Sequence, residues 1–248
     1  MMELESLWYP PPQNLTLLSH EVHIWRADLN LPAWQIHQMA QTLSPDELLR
    51  ADRFYVERDT KHFIAGRGLL RVILGRYLYI EPAQVQFSYG SCGKPALVNT
   101  DTDRTLCFNL SHSNGLALYA ITRDLSIGID LEHLCAMPNT LALAKRFFSS
   151  REYAVISSLP ADQKQEAFFN GWTRKEAYLK ATGQGLAGLE QVEVSLTPGE
   201  PPALLSIQGD SQSAITWSLH HLIPAPGYVA ALAVEGHDWH LSCLMAVE

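Results

Sequence analysis

The residues of this chain best placed to do chemistry are two short acidic groups. The first lies in Trp172-Thr173-Arg174-Lys175-Glu176-Ala177-Tyr178-Leu179-Lys180. At about 100° per helical residue, Phe168, Trp172 and Leu179 form one apolar stripe, and Glu176 falls about 40° from Trp172, at the stripe's edge. An unpaired carboxylate buried there costs roughly several kcal/mol, so Glu176 calls for a cation. Lys180, one turn on, is the expected partner, although a surface pair of that spacing contributes only about 0.2 to 0.5 kcal/mol. The second group is Ile127-Gly128-Ile129-Asp130-Leu131-Glu132, which alternates at the strand period. Ile127, Ile129 and Leu131 face one side, and Gly128, Asp130 and Glu132 the other. Two carboxylates on one strand face repel unless a cation lies between them, and Gly128 is read as room for a ligand. An exposed strand face and a helix-edge ion pair would account for either group alone. Together, Asp130, Glu132 and Glu176 are three oxygen donors with no Cys or His cluster beside them, which favours a hard cation, Mg²⁺ before Zn²⁺.

The elements that must position these groups are spread along an ordinary globular chain of 248 residues, 47% hydrophobic and 18% charged. That length supports one large domain or two small ones. Residues 1 to 20 lack the basic start and apolar core of a leader, and no run approaches the roughly 20 apolar residues of a membrane span. A soluble, cytoplasmic protein is expected. Cys92, Cys107, Cys135 and Cys243 contain no C-x-x-C pair, so reduced thiols are expected rather than a zinc site or disulfide framework. The net charge of −8 argues against nucleic acid or an anionic membrane as principal partner. Seven of the eighteen basic residues nevertheless cluster between Arg50 and Arg76. That cluster is either a solvated helix face or a cradle for phosphates, which suits bidentate arginine.

Residues 20 to 29 read as a strand ended by Pro32. Ser44-Pro45-Asp46-Glu47 then starts a helix, with Ser44 as N-cap and Glu47 at the capping-box spacing. Helices over 44 to 57 and 59 to 79 are expected, closed by Pro82, with short strands near 85 to 88 and 96 to 98. Tyr89-Gly90-Ser91-Cys92-Gly93-Lys94-Pro95 between them lacks the Walker spacing. Residues 105 to 132 read as a three-stranded meander with turns at Asn114-Gly115 and Arg123-Asp124. Ser111 and His112 are adjacent on a strand and so face opposite sides, a poor nucleophile and base, but suited to holding an anion. Helices are expected over 140 to 148, 150 to 159 and 162 to 182, and strands near 192 to 196, 203 to 207, 215 to 221 and 228 to 234. Gly183-Gln184-Gly185-Leu186-Ala187-Gly188 matches G-x-G-x-x-G, but it follows a helix and precedes a strand, the reverse of a dinucleotide site. Two halves of similar make-up, 1 to 124 and 125 to 248, suggest two α+β subdomains.

These stretches together resemble the Sfp-type 4'-phosphopantetheinyl transferases. The resemblance is carried by Ser44-Pro45 with Arg50, Ala65-Gly66-Arg67, Gly93-Lys94-Pro95, Phe108-Asn109-Leu110-Ser111-His112-Ser113, Gly128 to Glu132, Arg146-Phe147-Phe148 and Trp172 to Lys180. It spans about residues 44 to 188, and its specific part is Gly-Ile-Asp followed by Trp-x-x-Lys-Glu-x-x-x-Lys. It implies two similar α+β halves related by a pseudo-twofold, with a monomer as the expected state. It also implies transfer of the phosphopantetheine arm of coenzyme A to a serine of an acyl or peptidyl carrier protein, with release of adenosine 3',5'-bisphosphate. Asp130, Glu132 and Glu176 would hold Mg²⁺, Glu176 would take the serine proton, and Lys180 would meet the departing phosphate. Arg50, Arg67, Lys94, Ser111 and His112 would contact coenzyme A, with Arg53 a weaker candidate. Glu47 stands where some relatives carry a basic residue, and Glu132 where some lack an acid. Outside this reading stand another Mg²⁺-dependent enzyme of nucleotide pyrophosphates, and a coenzyme A binding module without turnover. Pure binding does not require Glu176 and Lys180 together beside an acidic pair. Because carrier proteins of this kind are themselves acidic, docking calls for a local basic and apolar patch, for which Lys145-Arg146-Phe147-Phe148 with Arg151 and Lys164 is the candidate.

Overall fold

A strand, three helices, a two-stranded ribbon and a hairpin follow one another twice along the chain. The computed structural model describes residues 7–98 and 105–246; residues 1–6, which begin the stretch searched above for a leader, lie outside the described residues. The first pass is β1 (Glu21–Asp28), α1 (Ala33–Thr42), α2 (Pro45–Ala51), α3 (Glu57–Leu78), β2 (Phe87–Tyr89), β3 (Pro95–Leu97), β4 (Leu106–Ser113) and β5 (Leu116–Arg123). The second is β6 (Ile127–His133), α4 (Thr140–Phe147), α5 (Ser150–Ser158), α6 (Lys164–Thr182), β7 (Val192–Val194), β8 (Leu204–Ile207), a short α7 (Ser211–Ala214), β9 (Trp217–Leu222) and β10 (Tyr228–Glu235). A final strand, β11 (His240–Met245), follows.

Sheet order repeats as well. The first half runs β1-β5-β4 and the second β6-β10-β9, so in each the opening strand pairs with the last strand of the hairpin. This is an α+β protein of two similar halves. The division at 124/125 needs one correction, because β11 returns to pair in parallel with β1, Val22 opposite Leu241 and Ile24 opposite Cys243. The expected meander needs another. β4 and β5 form a hairpin about the expected Asn114-Gly115 turn, Ser113 opposite Leu116, but β6 pairs with β10 and not with β5. Helix α1 and strand β11 escaped the sequence reading, and the helix expected over 44 to 57 stops at Ala51, leaving Phe54, Tyr55 and Val56 exposed before α3.

Strand alternation explains the layers. Trp25, Ala27, Tyr119 and Ile121 point at α3, whose Ala65, Leu69, Leu70 and Ile73 complete one core. Val22, Ile24, Leu118 and Ala120 point the other way, onto Ile127, Ile129, Leu131, Ala230, Leu232 and Val234 of the second sheet. The halves therefore meet sheet to sheet through an apolar layer, with a long helix on each outer face. Burying each such aliphatic side chain contributes about 1.5 to 3 kcal/mol, so this layer, rather than the polar contacts at its edge, holds the halves together.

The repeat extends to the charges. Ser44 and Glu47 form a capping box on α2, and Ser149 and Glu152 form another on α5. Each glutamate is almost wholly buried and turns to a cation on the following long helix. Glu47 takes Arg71 at 2.7 Å and Arg67 at 3.2 Å, and Glu152 takes Lys175 at 2.6 Å. Removing one member of such a buried set would strand the others unpaired.

Candidate active site

The acidic face of β6 lies against α6. Asp130 and Glu132 project from alternate positions of the strand, as the period predicts, and Glu176 and Lys180 occupy successive turns of the helix. Gly128 sits on the same strand face, and its role differs from the expectation. A Cβ there would stand 2.0 Å from the Ala177 carbonyl oxygen and 2.3 Å from the Ala181 nitrogen. The glycine makes room for the backbone of α6, not for a ligand, and that close approach brings Glu176 within reach of the strand's carboxylates.

The partner of Lys180 also differs from the expectation. Its Nζ lies 2.6 Å from Asp130 Oδ1 and donates to Ser111 Oγ at 2.9 Å. Asp130 is buried, and among the described residues only one of its oxygens is used: Oδ2 has no hydrogen-bond partner there, and neither does buried Glu176 Oε1. Burial, and then the charge of Asp130, push the Glu176 carboxyl up to about 7, against the opposing pull of Lys180. Burial and Asp130 likewise raise the pKa of Glu132, although Ser113, Lys180 and the Trp172 indole work against them. Crowded carboxylates with free buried oxygens are what a hard cation relieves, and the all-oxygen donor set fits Mg²⁺. Among the described residues no three acidic, His or Cys side chains already form a metal cage, so such an ion would have to draw these groups together.

Along the seam between the halves, β4 approaches β6 through side chains. Asn109 Oδ1 accepts the Ile129 N–H at 2.9 Å, Ser111 Oγ the Leu131 N–H at 3.2 Å, and Ser113 Oγ the His133 N–H at 3.1 Å. The two hydroxyls pass their own hydrogens to carboxylates, Ser111 to Asp130 Oδ1 at 3.0 Å and Ser113 to Glu132 Oε2 at 3.3 Å. The signal that could have found this ladder was three polar side chains at i, i+2 and i+4 of a strand, all facing one way.

The basic candidates are scattered over several settings. His112 faces outward between the ladder residues; the surrounding protein, then Lys180 and His62, lower its pKa. Arg67 pairs with Glu47, donates to the Tyr89 hydroxyl at 3.2 Å and lies over the Phe87 and Tyr89 rings, with its Nη1 buried and without a hydrogen-bond partner among the described residues. Lys94 Nζ donates to the carbonyls of Ala181 at 2.7 Å, at the C-terminal end of α6, and Ile127 at 3.2 Å. That is a favourable seat for a cation, and burial lowers the pKa of Lys94 there. Arg50 is exposed on α2 with its guanidinium over Phe63, and shares an open surface depression with Arg53. Lys175, in the middle of the central motif, faces away from Glu176 into the second core, on Glu152 and the Leu189 carbonyl.

A helix and strand pressed together at a glycine bring three acids, a lysine and a neighbouring Ser-His pair to the junction of two like halves of an α+β protein. Two family models divide the chain between them: residues 25–123 match the N-terminal region of 4'-phosphopantetheinyl transferases, and residues 126–233 match the 4'-phosphopantetheinyl transferase superfamily. The chain is 52% identical over 236 residues to the 4'-phosphopantetheinyl transferase HetI of Nostoc sp., covering 95% of this chain and 97% of that one. It is 38% identical over 178 residues to a putative 4'-phosphopantetheinyl transferase of Synechocystis sp., covering 71% and 70%. It is 31% identical over 145 residues to the 4'-phosphopantetheinyl transferase Sfp of Bacillus subtilis, covering 58% and 62%. The chain belongs to the 4'-phosphopantetheinyl transferase family and is an enzyme of that type.

Proposed function

We propose that this enzyme moves the phosphopantetheine arm of coenzyme A to a serine hydroxyl of an acyl or peptidyl carrier protein, in a reaction that depends on Mg²⁺. The observation that carries the reading is the pair of free buried oxygens, Asp130 Oδ2 and Glu176 Oε1, within one acidic cluster. Asp130, Glu132 and Glu176 would hold the ion. Once bound, it would neutralise charge on the pyrophosphate oxygens as the substitution proceeds.

The protein's own groups divide the remaining work. Glu176, ionised once the cation is bound, takes the serine proton directly or through one water. The serine oxygen forms its bond to the phosphorus bearing the pantetheine arm. The bond from that phosphorus to the bridging oxygen breaks, its electron pair leaves with adenosine 3',5'-bisphosphate, and Lys180 meets the charge that develops there. Outward-facing His112 lies near Lys180 and is suited to the phosphates, whereas the buried Ser111 hydroxyl is already spent on Asp130, Leu131 and Lys180 and positions them. Arg67 presents its free Nη1, and Lys94, Arg50 and Arg53 extend the basic surface for the nucleotide. The test is incubation with coenzyme A and an apo carrier protein, read by intact mass and by release of adenosine 3',5'-bisphosphate. A carrier mass gain of one phosphopantetheine, abolished by EDTA and restored by Mg²⁺, is expected. Full transfer in EDTA would sink the metal part alone, and no mass gain with any carrier would sink the whole reading.

A further inference from the structure

The polar ladder of β4 does more than join the halves. We propose that Ser113 is a positioning residue: its hydroxyl, seated on the β6 backbone, aims Glu132 into the acidic cluster and so sets the site's affinity for a divalent cation. This rests on the metal reading above and adds to it a residue that acts through Glu132.

The argument is one of hydrogen-bond inventory. A serine hydroxyl has a single hydrogen and two acceptor lone pairs. At Ser113 the His133 N–H arrives at 3.1 Å and occupies the acceptor side, so the hydrogen is turned toward Glu132 Oε2 at 3.3 Å. Ser111 shows the same arrangement one rung earlier, with the Leu131 N–H at 3.2 Å and Asp130 Oδ1 at 3.0 Å, and with Lys180 as a second donor to it. The two rungs are unequal in what they must hold. Asp130 is short, buried and also gripped by Lys180, whereas Glu132 has one more rotatable bond and is half-buried. Glu132 is therefore the carboxylate that depends most on outside contacts for its direction, the Ser113 hydroxyl from the strand and the Trp172 indole from the helix. Asn109 supplies a comparison within the same strand. Its Oδ1 accepts the Ile129 N–H at 2.9 Å, but the residue before Ile129 is Gly128, which has no carboxylate to orient.

Contacts of this kind around a metal site are worth on the order of ten-fold or more in metal affinity. The test is calorimetric titration of the full chain with Mn²⁺ and with Mg²⁺, alongside thermal unfolding. It compares wild type, Ser113→Ala, Ser113→Thr and Asn109→Ala. Ser113→Ala should weaken binding about ten-fold. In turnover it should raise the Mg²⁺ concentration for half-maximal rate and leave the rate at saturating Mg²⁺ little changed. Ser113→Thr keeps the hydroxyl and should restore most of the affinity. Asn109→Ala should lower Tm, having lost a rung, with affinity near that of wild type. If Ser113→Ala does not fold, Ser113→Cys, of similar size and a weak donor, must show the loss instead. Wild-type affinity in the folded Ser113 variant, or an equal loss in Asn109→Ala, would overturn the proposal. A wild type that binds neither ion would overturn the metal reading itself, and this proposal with it.

Discussion

Glu176 is the residue at which burial, charge and chemistry meet. Its carboxyl is raised from an ordinary 4.5 to about 7, so in metal-free protein the fold holds its proton more tightly than the unfolded chain does. The stability that follows is complete below about pH 4.5 and is lost as pH rises through about 7. Thermal unfolding of the EDTA-treated enzyme should show this decline, Glu176→Gln should flatten it, and Mg²⁺, which favours the ionised form, should offset it. Glu176→Gln should also slow transfer by about 10² to 10⁴-fold, the range expected for a lost general base; a variant within two-fold of wild type would remove Glu176 from the chemistry. Glu47 makes a contrasting case. The sequence marks it as a helix cap and as a departure from basic relatives, but its burial against Arg67 and Arg71 makes it the counter-ion of two nearly buried guanidinium groups. Glu47→Ala should cost about 3 to 5 kcal/mol in urea unfolding. For the same reason Arg67→Ala should lower stability as well as weaken coenzyme A binding, whereas outward-facing His112→Ala should act on KM for coenzyme A alone.

Among the elements, the contact between β6 and α6 decides the geometry of the site. Gly128→Ala places a methyl group where the backbone of α6 already lies. Neither backbone can step aside as a flexible side chain would, so the loss should reach or exceed the roughly 1 to 3 kcal/mol usual for overpacking. Transfer should fall further than stability does, because displacing α6 carries Glu176 and Lys180 away from Asp130. A variant of wild-type stability and activity would show that the approach is looser than described. The alternation of β6 was legible in the sequence, since a strand's period fixes which residues share a face. The meander was not: a short turn after β5 invites a third antiparallel strand, yet β6 finds its hydrogen bonds on β10, about a hundred residues away.

For the whole molecule, the acidic cluster and the candidate docking residues Lys145 and Arg146 belong to the second half, while Arg50, Arg67, Lys94 and His112 belong to the first. Lys145 and Arg146 are exposed on α4, the Arg146 guanidinium lies over Phe147, and Phe147 packs half-buried against Trp172. Phe148 belongs to the core, stacked on Phe168, so the apolar part of any docking surface here rests on Phe147. With a net charge of −8, attraction of an acidic carrier protein has to be local. Lys145→Glu with Arg151→Glu should raise KM for the carrier several-fold at low salt, and less at high salt, with coenzyme A binding unchanged. An unchanged rate in low salt would move docking to another face.

What the sequence by itself determined were properties set by nearest neighbours. Strand and helix periods placed Asp130 and Glu132 on one face and Glu176 with Lys180 on one helix side, Ser44 and Glu47 announced a helix start, and spaced motifs marked the family. The tertiary structure decided the pairings. Lys180 leaves the glutamate one turn away for Asp130 because a buried carboxylate on a packed strand competes better than a neighbour at a solvated helix edge. Gly128 serves a helix, Ser111 and Ser113 serve the seam, and β11 crosses to the first half. Each depends on which distant surface a side chain meets, and local propensity carries no information about that.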